Sequence, residues 1–182
     1  MSTNLKLLPA ELAGVFVLQP KIFTDQRGTF VKTYHADIFR EAGLDFTPRE
    51  EFFSISHKNV VRGMHFQSPP AAQDKLVYCP VGKVLDVVMD LRPGSRTFGG
   101  TFARELSAEN REMLYIPVGC AHGFLSLAED TIMVYQTSTV HSPTQDAGIL
   151  WNSIGFDWPV KNPILSARDQ AFPTLNQFQS PF

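Results

Sequence analysis

The chain has 182 residues, with 16 basic and 18 acidic side chains and a net charge of −2 when histidine is neutral. This length predicts a single domain, residues 1–182, with a substantial core. The sequence contains no Lys/Arg-rich block and no apolar run of eighteen residues, so neither a nucleic-acid partner nor a membrane span is expected. The first ten residues lack the apolar core of a secretory signal, and Cys79 and Cys120 have no C-x-x-C partner. These features predict a cytoplasmic protein.

In chain order, the sequence predicts mostly short strands. Runs rich in Val, Ile, Phe and Thr occur at 15–18, 29–34, 61–67, 75–80, 84–91, 97–105, 113–117, 121–127 and 132–138, separated by many of the 13 prolines and 12 glycines. An amphipathic helix is predicted at Ala36–Ala42, ended by Gly43, and a helical turn at 107–111 capped by Ser107. Residues 160–182 have no clear period and are expected to pack as loops and turns. The pattern predicts an all-β fold, a jelly-roll sandwich or barrel whose mouth is a natural small-ligand cavity.

The segment Val61–Gln67 places Arg62 and His65 in an apolar strand. On position alone, His65 is equally well interpreted as a core histidine with one hydrogen bond or as a general base, because its ordinary pKa of about 6.5 lies near working pH. The two side chains have opposite parity on an ideal strand. A shared cavity therefore requires a bulge, which we predict at Gly63.

Other polar side chains interrupt later strands. Asp86 has apolar neighbours and is expected to be buried with a partner, for which Lys75 is a suitable cation. Asp90 precedes Arg-Pro-Gly, which is typical of turn chemistry. His122 and Tyr135 also lie in apolar strands, and such a tyrosine is commonly a core residue.

Seven segments of the chain together resemble the dTDP-4-dehydrorhamnose 3,5-epimerase family, the cupin-type epimerases of deoxysugar nucleotides. They are FTDQRGTF at 23–30, VRGMHFQ at 61–67, KLV at 75–77, GKVLDV at 82–87, PVGCAHGF at 117–124, GILWN at 148–152 and LSARD at 165–169. Each is weak alone, but seven in the same order are specific. The resemblance implies a cupin-type jelly roll without a cofactor or metal. It also implies a homodimer in which the N-terminal strand region, about residues 1–35, reaches the partner's active site.

The resemblance implies that the enzyme inverts C3, C5 or both in a 4-keto-6-deoxyhexose carried on a nucleoside diphosphate. This reaction needs a base, a cation at the enolate oxygen and an acid on the opposite face. His65 matches the family's base and Asp169 the carboxylate that orients it. Lys75 matches the cation and Tyr135 the acid. Residues that match substrate contacts are Arg27, Arg62, Asp86, His122 and Arg168, with Asp86 expected to steady Lys75 or Arg62.

The chain departs from the family pattern where the nucleobase binds. Lys32 replaces a common acidic residue, Glu50–Phe52 replaces Gln-x-Asn, and His141 replaces the aromatic residue that stacks on thymine. These changes predict a nucleotide other than dTDP, with CDP as the first candidate and GDP also open. Phe52 or His141 would stack on the base, and Glu50 would accept a hydrogen bond from an exocyclic amine.

Three other functions compete with this interpretation. A metal-dependent cupin ordinarily carries His-x-His, which this sequence lacks. A sugar-nucleotide 3,4-ketoisomerase on the same fold also moves protons beside a carbonyl, but the Asp169 segment matches the epimerases. A non-catalytic sugar-nucleotide-binding cupin would need the arginines without the full set of catalytic candidates. We therefore predict a cofactor-independent epimerase of deoxysugar biosynthesis.

Overall fold

The computed structural model describes residues 4–182. The strands are β1 (Leu5–Pro9), β2 (Phe16–Pro20), β3 (Ile22–Asp25), β4 (Gly28–Val31), β5 (Glu50–Ser56), β6 (Val61–Gln67), β7 (Lys75–Val81), β8 (Lys83–Asp90), β9 (Thr101–Ser107), β10 (Met113–Ile116), β11 (Cys120–Ser126), β12 (Thr131–Thr137) and β13 (Asp146–Gly148). Helices α1 (Ala36–Glu41) and α2 (Ala167–Gln170) are short, and 3-10 turns occur at Trp151–Ser153 and Leu175–Gln177. Within the described residues, no helix is long and apolar enough to cross a membrane.

Two antiparallel sheets face each other and form a jelly roll. The six-stranded sheet has the order β1-β2-β10-β7-β12-β5, and the five-stranded sheet has the order β13-β6-β11-β8-β9. Val77 and Met133 of the first sheet pack with Val88 and Phe124 of the second in the core between them. The predicted all-β, cupin-type fold is therefore confirmed.

The five-stranded sheet is covered on both faces. Val84 and Val88 of β8 belong to the core between the sheets, whereas Val87 and Met89 pack beneath the C-terminal segment. A strand covered on both sides tolerates polar residues poorly, which explains the nearly continuous apolar run of β8.

The outer face of the six-stranded sheet is covered at one end only. Phe39 of α1 and Phe46 pack there against Leu18 and other residues of the sheet. At the β5 edge, the outward-pointing side chains remain exposed, including Phe53 at 64% and Ile55 at 54%. A further two-stranded hairpin, β3–β4, lies outside both sheets.

The sequence predictions hold for the long apolar strands and for α1, with end shifts of a few residues. The strand predicted at 97–105 begins only at Thr101, because Thr97 donates to Asp90 in a turn that also includes Arg92 and Ser95. This confirms the turn interpretation of Asp90. Residues 107–111 form a hydrogen-bonded turn, in which Ser107 Oγ accepts from Asn110 N.

The predicted bulge is present in β6. His65 pairs with His122 and Arg62 with Phe124, so two β6 residues oppose only Gly123 between these pairs. Gly63 has φ +141°, and a Cβ at this position would lie 2.6 Å from Gly123 Cα. The extra residue reverses the parity, so that Arg62 and His65 both line the cavity between the sheets.

Candidate active site

A cavity of about 340 Å³ lies between the two sheets. Its lining comes from both: β6 and β11 contribute from one sheet, and β5, β7 and β12 from the other. The lining residues are Glu50, Phe52, Ser54, Arg62, His65, Phe66, Gln67, Gln73, Lys75, His122, Phe124, Tyr135, His141, Asp146 and Arg168. Most of the residues predicted from separate sequence segments are thus brought together.

His65 is held by a buried carboxylate. Its Nε2 lies 2.8 Å from Asp169 Oδ1, and Asp169 Oδ2 accepts from Gly63 N at 3.2 Å. Burial opposes ionisation of Asp169, but the hydrogen bonds outweigh it and hold the pKa of this carboxyl below its usual range. Burial lowers the pKa of His65, against the opposing effect of Asp169. A carboxylate at Nε2 favours the tautomer in which Nδ1 is the basic nitrogen.

Lys75 is a buried cation at the wall of the cavity. Its Nζ donates to the backbone oxygen of His65 at 3.2 Å, which links the two sheets. Burial lowers the pKa of Lys75 to about 8, although Asp146 and Asp86 favour the charged form. The Lys75 side chain therefore remains mostly protonated at neutral pH. Asp146 and Asp86 offset only part of the effect of burial on its pKa.

Tyr135 is fixed on three sides. Its hydroxyl shares a hydrogen bond with Ser54 Oγ at 3.3 Å. The Phe52 ring stacks on it with centroids 4.8 Å apart and an interplanar angle of 14°, and His122 meets it edge-on. Burial raises the pKa of the phenol, so the hydroxyl keeps its proton through the physiological range.

Asp86 forms its hydrogen bond with a partner that the sequence did not predict. Asp86 is completely buried, and its Oδ2 lies 2.8 Å from His122 Nε2. No hydrogen bond joins Asp86 to Lys75 or Arg62; Arg62 instead donates from Nε to Ser56 Oγ at 3.0 Å. The reason is register: His122 lies diagonally across from Asp86 on adjacent β11, whereas Lys75 belongs to the opposite sheet.

The cavity mouth carries an ion pair that the sequence analysis missed. Arg168 Nη2 donates to Asp146 Oδ1 at 2.8 Å, and the guanidinium lies over the Phe172 ring. Asp146 lies in a polar segment, two residues before the GILWN motif at 148–152. Its closeness to that motif is the only sequence signal that it belongs to the site. Ser54, Gln67 and Gln73 were also missed, because isolated polar residues of these types carry little signal.

Three predicted contact residues do not line this cavity, and one of them, Asp86, is completely buried against His122. Arg27 sits in the β3–β4 hairpin with its side chain 85% exposed and pairs only with Asp25 among the described residues. Lys32 follows the same hairpin and lies near Lys21 and His35. Of the N-terminal region 1–35, residues 1–3 lie outside the described part of the chain.

The described residues show no cluster suited to a metal ion. Within 4–182, His, Cys, Asp and Glu side chains do not gather in groups of three or more that could hold one. Asp169, Asp86 and Asp146 are paired individually with His65, His122 and Arg168, and Glu50 accepts a hydrogen bond from the backbone N–H of His141.

Comparison with known proteins gives a consistent result. The family model for dTDP-4-dehydrorhamnose 3,5-epimerase matches residues 9–177. The enzyme of that name from Shigella flexneri is 43% identical over 168 residues, which cover 91% of this chain and 93% of that protein. A Bacillus anthracis epimerase structure with TDP and PPi bound has a TM-score of 0.92 at 36% identity, covering 94% and 99% of the two chains. The Legionella pneumophila enzyme in complex with dTDP-4-keto-L-rhamnose has a TM-score of 0.91 at 33% identity, covering 96% and 95%.

The fold and these matches define the class of protein, a cupin-type jelly-roll isomerase that acts on sugar nucleotides. More particularly, the chain belongs to the dTDP-4-dehydrorhamnose 3,5-epimerase family.

Proposed function

We propose that the protein is a cytoplasmic epimerase of deoxysugar biosynthesis that inverts C3, C5 or both in a nucleoside-diphospho-4-keto-6-deoxyhexose. The observation that carries the proposal is the meeting of His65, Lys75 and Tyr135 in one cavity, with His65 held by Asp169. A module that only binds sugar nucleotides has no need for this combination.

His65 is the proposed base. With Nε2 donating to ionised Asp169, Nδ1 has a free lone pair and can take the proton from the carbon beside the ketone. The C–H electron pair then forms the enolate, and Asp169 stabilises the imidazolium that results. The lowered pKa of His65 supports this role, because the ring is neutral before each turnover at pH 7.

Lys75 and Tyr135 complete the proposed reaction. The buried Lys75 ammonium stabilises negative charge on the enolate oxygen more strongly than it would in water. Tyr135 donates its proton to the opposite face of the same carbon, which inverts the configuration. Exchange with solvent then returns a proton to Tyr135 and removes one from His65.

Three nucleotides are candidates: dTDP, CDP and GDP. The relatives named for dTDP-sugars, and the bound TDP and dTDP-sugar in two of the structures, support dTDP. The presence of Glu50, Phe52 and His141 in the cavity lining supports the alternative of a different base, CDP first. Initial rates with dTDP-, CDP- and GDP-4-keto-6-deoxyglucose separate them, and a clear preference for dTDP rejects the CDP hypothesis.

We also propose a homodimer. The exposed Phe53 and Ile55 give the β5 edge of the outer sheet face an apolar surface, and Phe23 and Phe30 are exposed on the β3–β4 hairpin. An exchanged hairpin would carry Arg27 to the partner's cavity. This arrangement would account for an arginine that does not line the cavity between the sheets of its own chain.

The test is deuterium wash-in from D2O, followed at C3 and C5 by NMR. Wild-type protein should exchange at the inverted carbons, and His65→Ala should lower the rate at least about 1,000-fold because no other base replaces it. Tyr135→Phe should lower net inversion more than exchange, since proton removal by His65 remains. His57→Ala, an exposed histidine paired with Glu129, is the matched control. Unchanged exchange in both cavity variants would reject the catalytic proposal.

A further inference from the structure

The connection between β12 and β13, residues 138–145, is held at three successive residues. His141 N donates to Glu50 Oε2 at 2.6 Å, and Ser142 N donates to Gln67 Oε1 at 2.6 Å. The carbonyl of Val140 lies 3.4 Å from Gln67 Nε2 and shares a hydrogen of that amide with one of its two closer acceptors. Glu50 and Gln67 come from opposite sheets, so the connection is clamped from both sides.

Gln67 is built into the structure as an anchor. Its side chain is buried, and Nε2 also donates to Ala71 O at 2.9 Å and Gln73 Oε1 at 3.0 Å. A buried amide with partners at both ends fixes its surroundings, because breaking one contact leaves a polar group without water. Gln67 thus joins the segment before β7 to the segment that carries His141.

Glu50 is engaged by the main chain. Its carboxylate accepts from a backbone N–H, a charge-assisted hydrogen bond that is stronger than a neutral one. The backbone of His141 is held in this way, and its side chain lines the cavity. This contact differs from the role expected for Glu50 as a direct acceptor for a nucleobase amine.

We infer that Glu50 and Gln67 are positioning residues, which hold the 138–142 segment so that His141 forms the substrate-contacting wall of the cavity. The inference rests on the proposed function, because the ligand of this wall is taken to be the sugar nucleotide. Glu50 acts through His141, and the clamp determines affinity more than the rate of proton transfer.

The first test compares Glu50→Ala with the conservative Glu50→Gln. Loss of one charge-assisted hydrogen bond should raise KM about tenfold in Glu50→Ala while kcat changes less than about threefold. Glu50→Gln keeps an acceptor oxygen and should restore most of the affinity. Glu105→Ala, which removes an exposed carboxylate from β9, is the matched control. Equal KM values for Glu50→Ala and this control would overturn the inference.

The second test asks whether Glu50 acts through His141. In the His141→Ala background, Glu50→Ala should raise KM less than about twofold, because the two changes disrupt the same wall. A full tenfold effect in that background would mean that Glu50 contacts the substrate directly and would overturn the inference. Gln67→Leu should also raise KM, and its unfolding transition is measured in parallel because the site is buried. If Gln67→Leu fails to fold, the KM values of the Glu50 variants alone decide the inference.

A binding measurement separates this inference from the proposed reaction. Dissociation constants for dTDP and CDP, obtained by calorimetry, should follow the same pattern across the variants without any turnover. If the dissociation constants follow this pattern but the wild-type protein exchanges no deuterium, the proposed reaction is wrong and the positioning role of Glu50 and Gln67 stands. If the wild-type protein turns over its substrate but the dissociation constants do not differ among the variants, the positioning role is wrong and the proposed reaction stands.

Discussion

Burial lowers the pKa of two side chains in the cavity, with opposite consequences for their proposed roles. Burial disfavours the charged forms of both His65 and Lys75. For His65, the lower pKa favours the neutral ring that a base requires. For Lys75, the lower pKa means that the ammonium loses its proton only slightly above neutral pH. The same apolar surroundings therefore assist one proposed role and limit the pH range of the other.

The pH dependence of kcat/KM should accordingly be bell-shaped. Activity should rise as His65 loses its proton, at a pH below the ordinary histidine value of 6.5, and should fall as Lys75 loses its proton at about pH 8. In Lys75→Arg the guanidinium stays charged, so the alkaline fall should disappear from whatever activity remains. Lys83→Arg, an exposed lysine of β8, should keep the wild-type profile. A wild-type profile that stays flat from pH 7 to 10 would contradict the role of Lys75.

At the level of elements, the sequence predicted which side chains share the cavity more reliably than which side chains form hydrogen bonds with each other. Motifs indicated which side chains would share the cavity, and parity on β6 required a bulge, which is present at Gly63. The partner of Asp86 was missed because it depends on the register between β8 and β11, and register is a tertiary property. Strands β1, β3, β5 and β13 were missed because they are short, polar or poorly alternating, so their stability comes from pairing and not from local pattern.

Gly63, at the β6 bulge, should not tolerate a side chain. In Gly63→Ala the new Cβ would meet backbone at Gly123 Cα, at a φ of +141° that side chains rarely adopt. We expect a loss of at least about 2 kcal/mol in the free energy of unfolding, because neither strand can move without breaking the ladder. Gly94→Ala, where no atom lies within 4 Å of the added Cβ, should change stability by less than about 0.5 kcal/mol. Urea titration measures both, and similar values for the two variants would show that the bulge tolerates a side chain.

At the scale of the whole molecule, packing among residues 4–182 does not explain the sequence of the β3–β4 hairpin. Its residues are almost all exposed, and Arg27 is paired only with its neighbour Asp25 among the described residues. An exposed hairpin with two phenylalanines is costly in a monomer, since apolar surface remains in water. In the proposed dimer, the hairpin covers the partner and supplies a cation that the diphosphate requires. The active site then belongs to two chains.

Mixing two inactive variants tests this arrangement. If Arg27 serves the partner's cavity, a hybrid of Arg27→Ala and His65→Ala protomers contains one site with both defects and one intact site. Random reassociation of equal amounts, after unfolding and refolding together, makes half of the dimers hybrid, so about one quarter of wild-type activity should return. A mixture of His65→Ala with Tyr135→Phe is the control, because both residues line the same chain's cavity and no hybrid site is intact. If the Arg27 mixture regains no more activity than this control, the arginine acts within its own chain or not at all, and the hairpin exchange is wrong. Recovery near one quarter would instead mean that folding alone cannot complete this active site, and that association of two chains is part of how it is built.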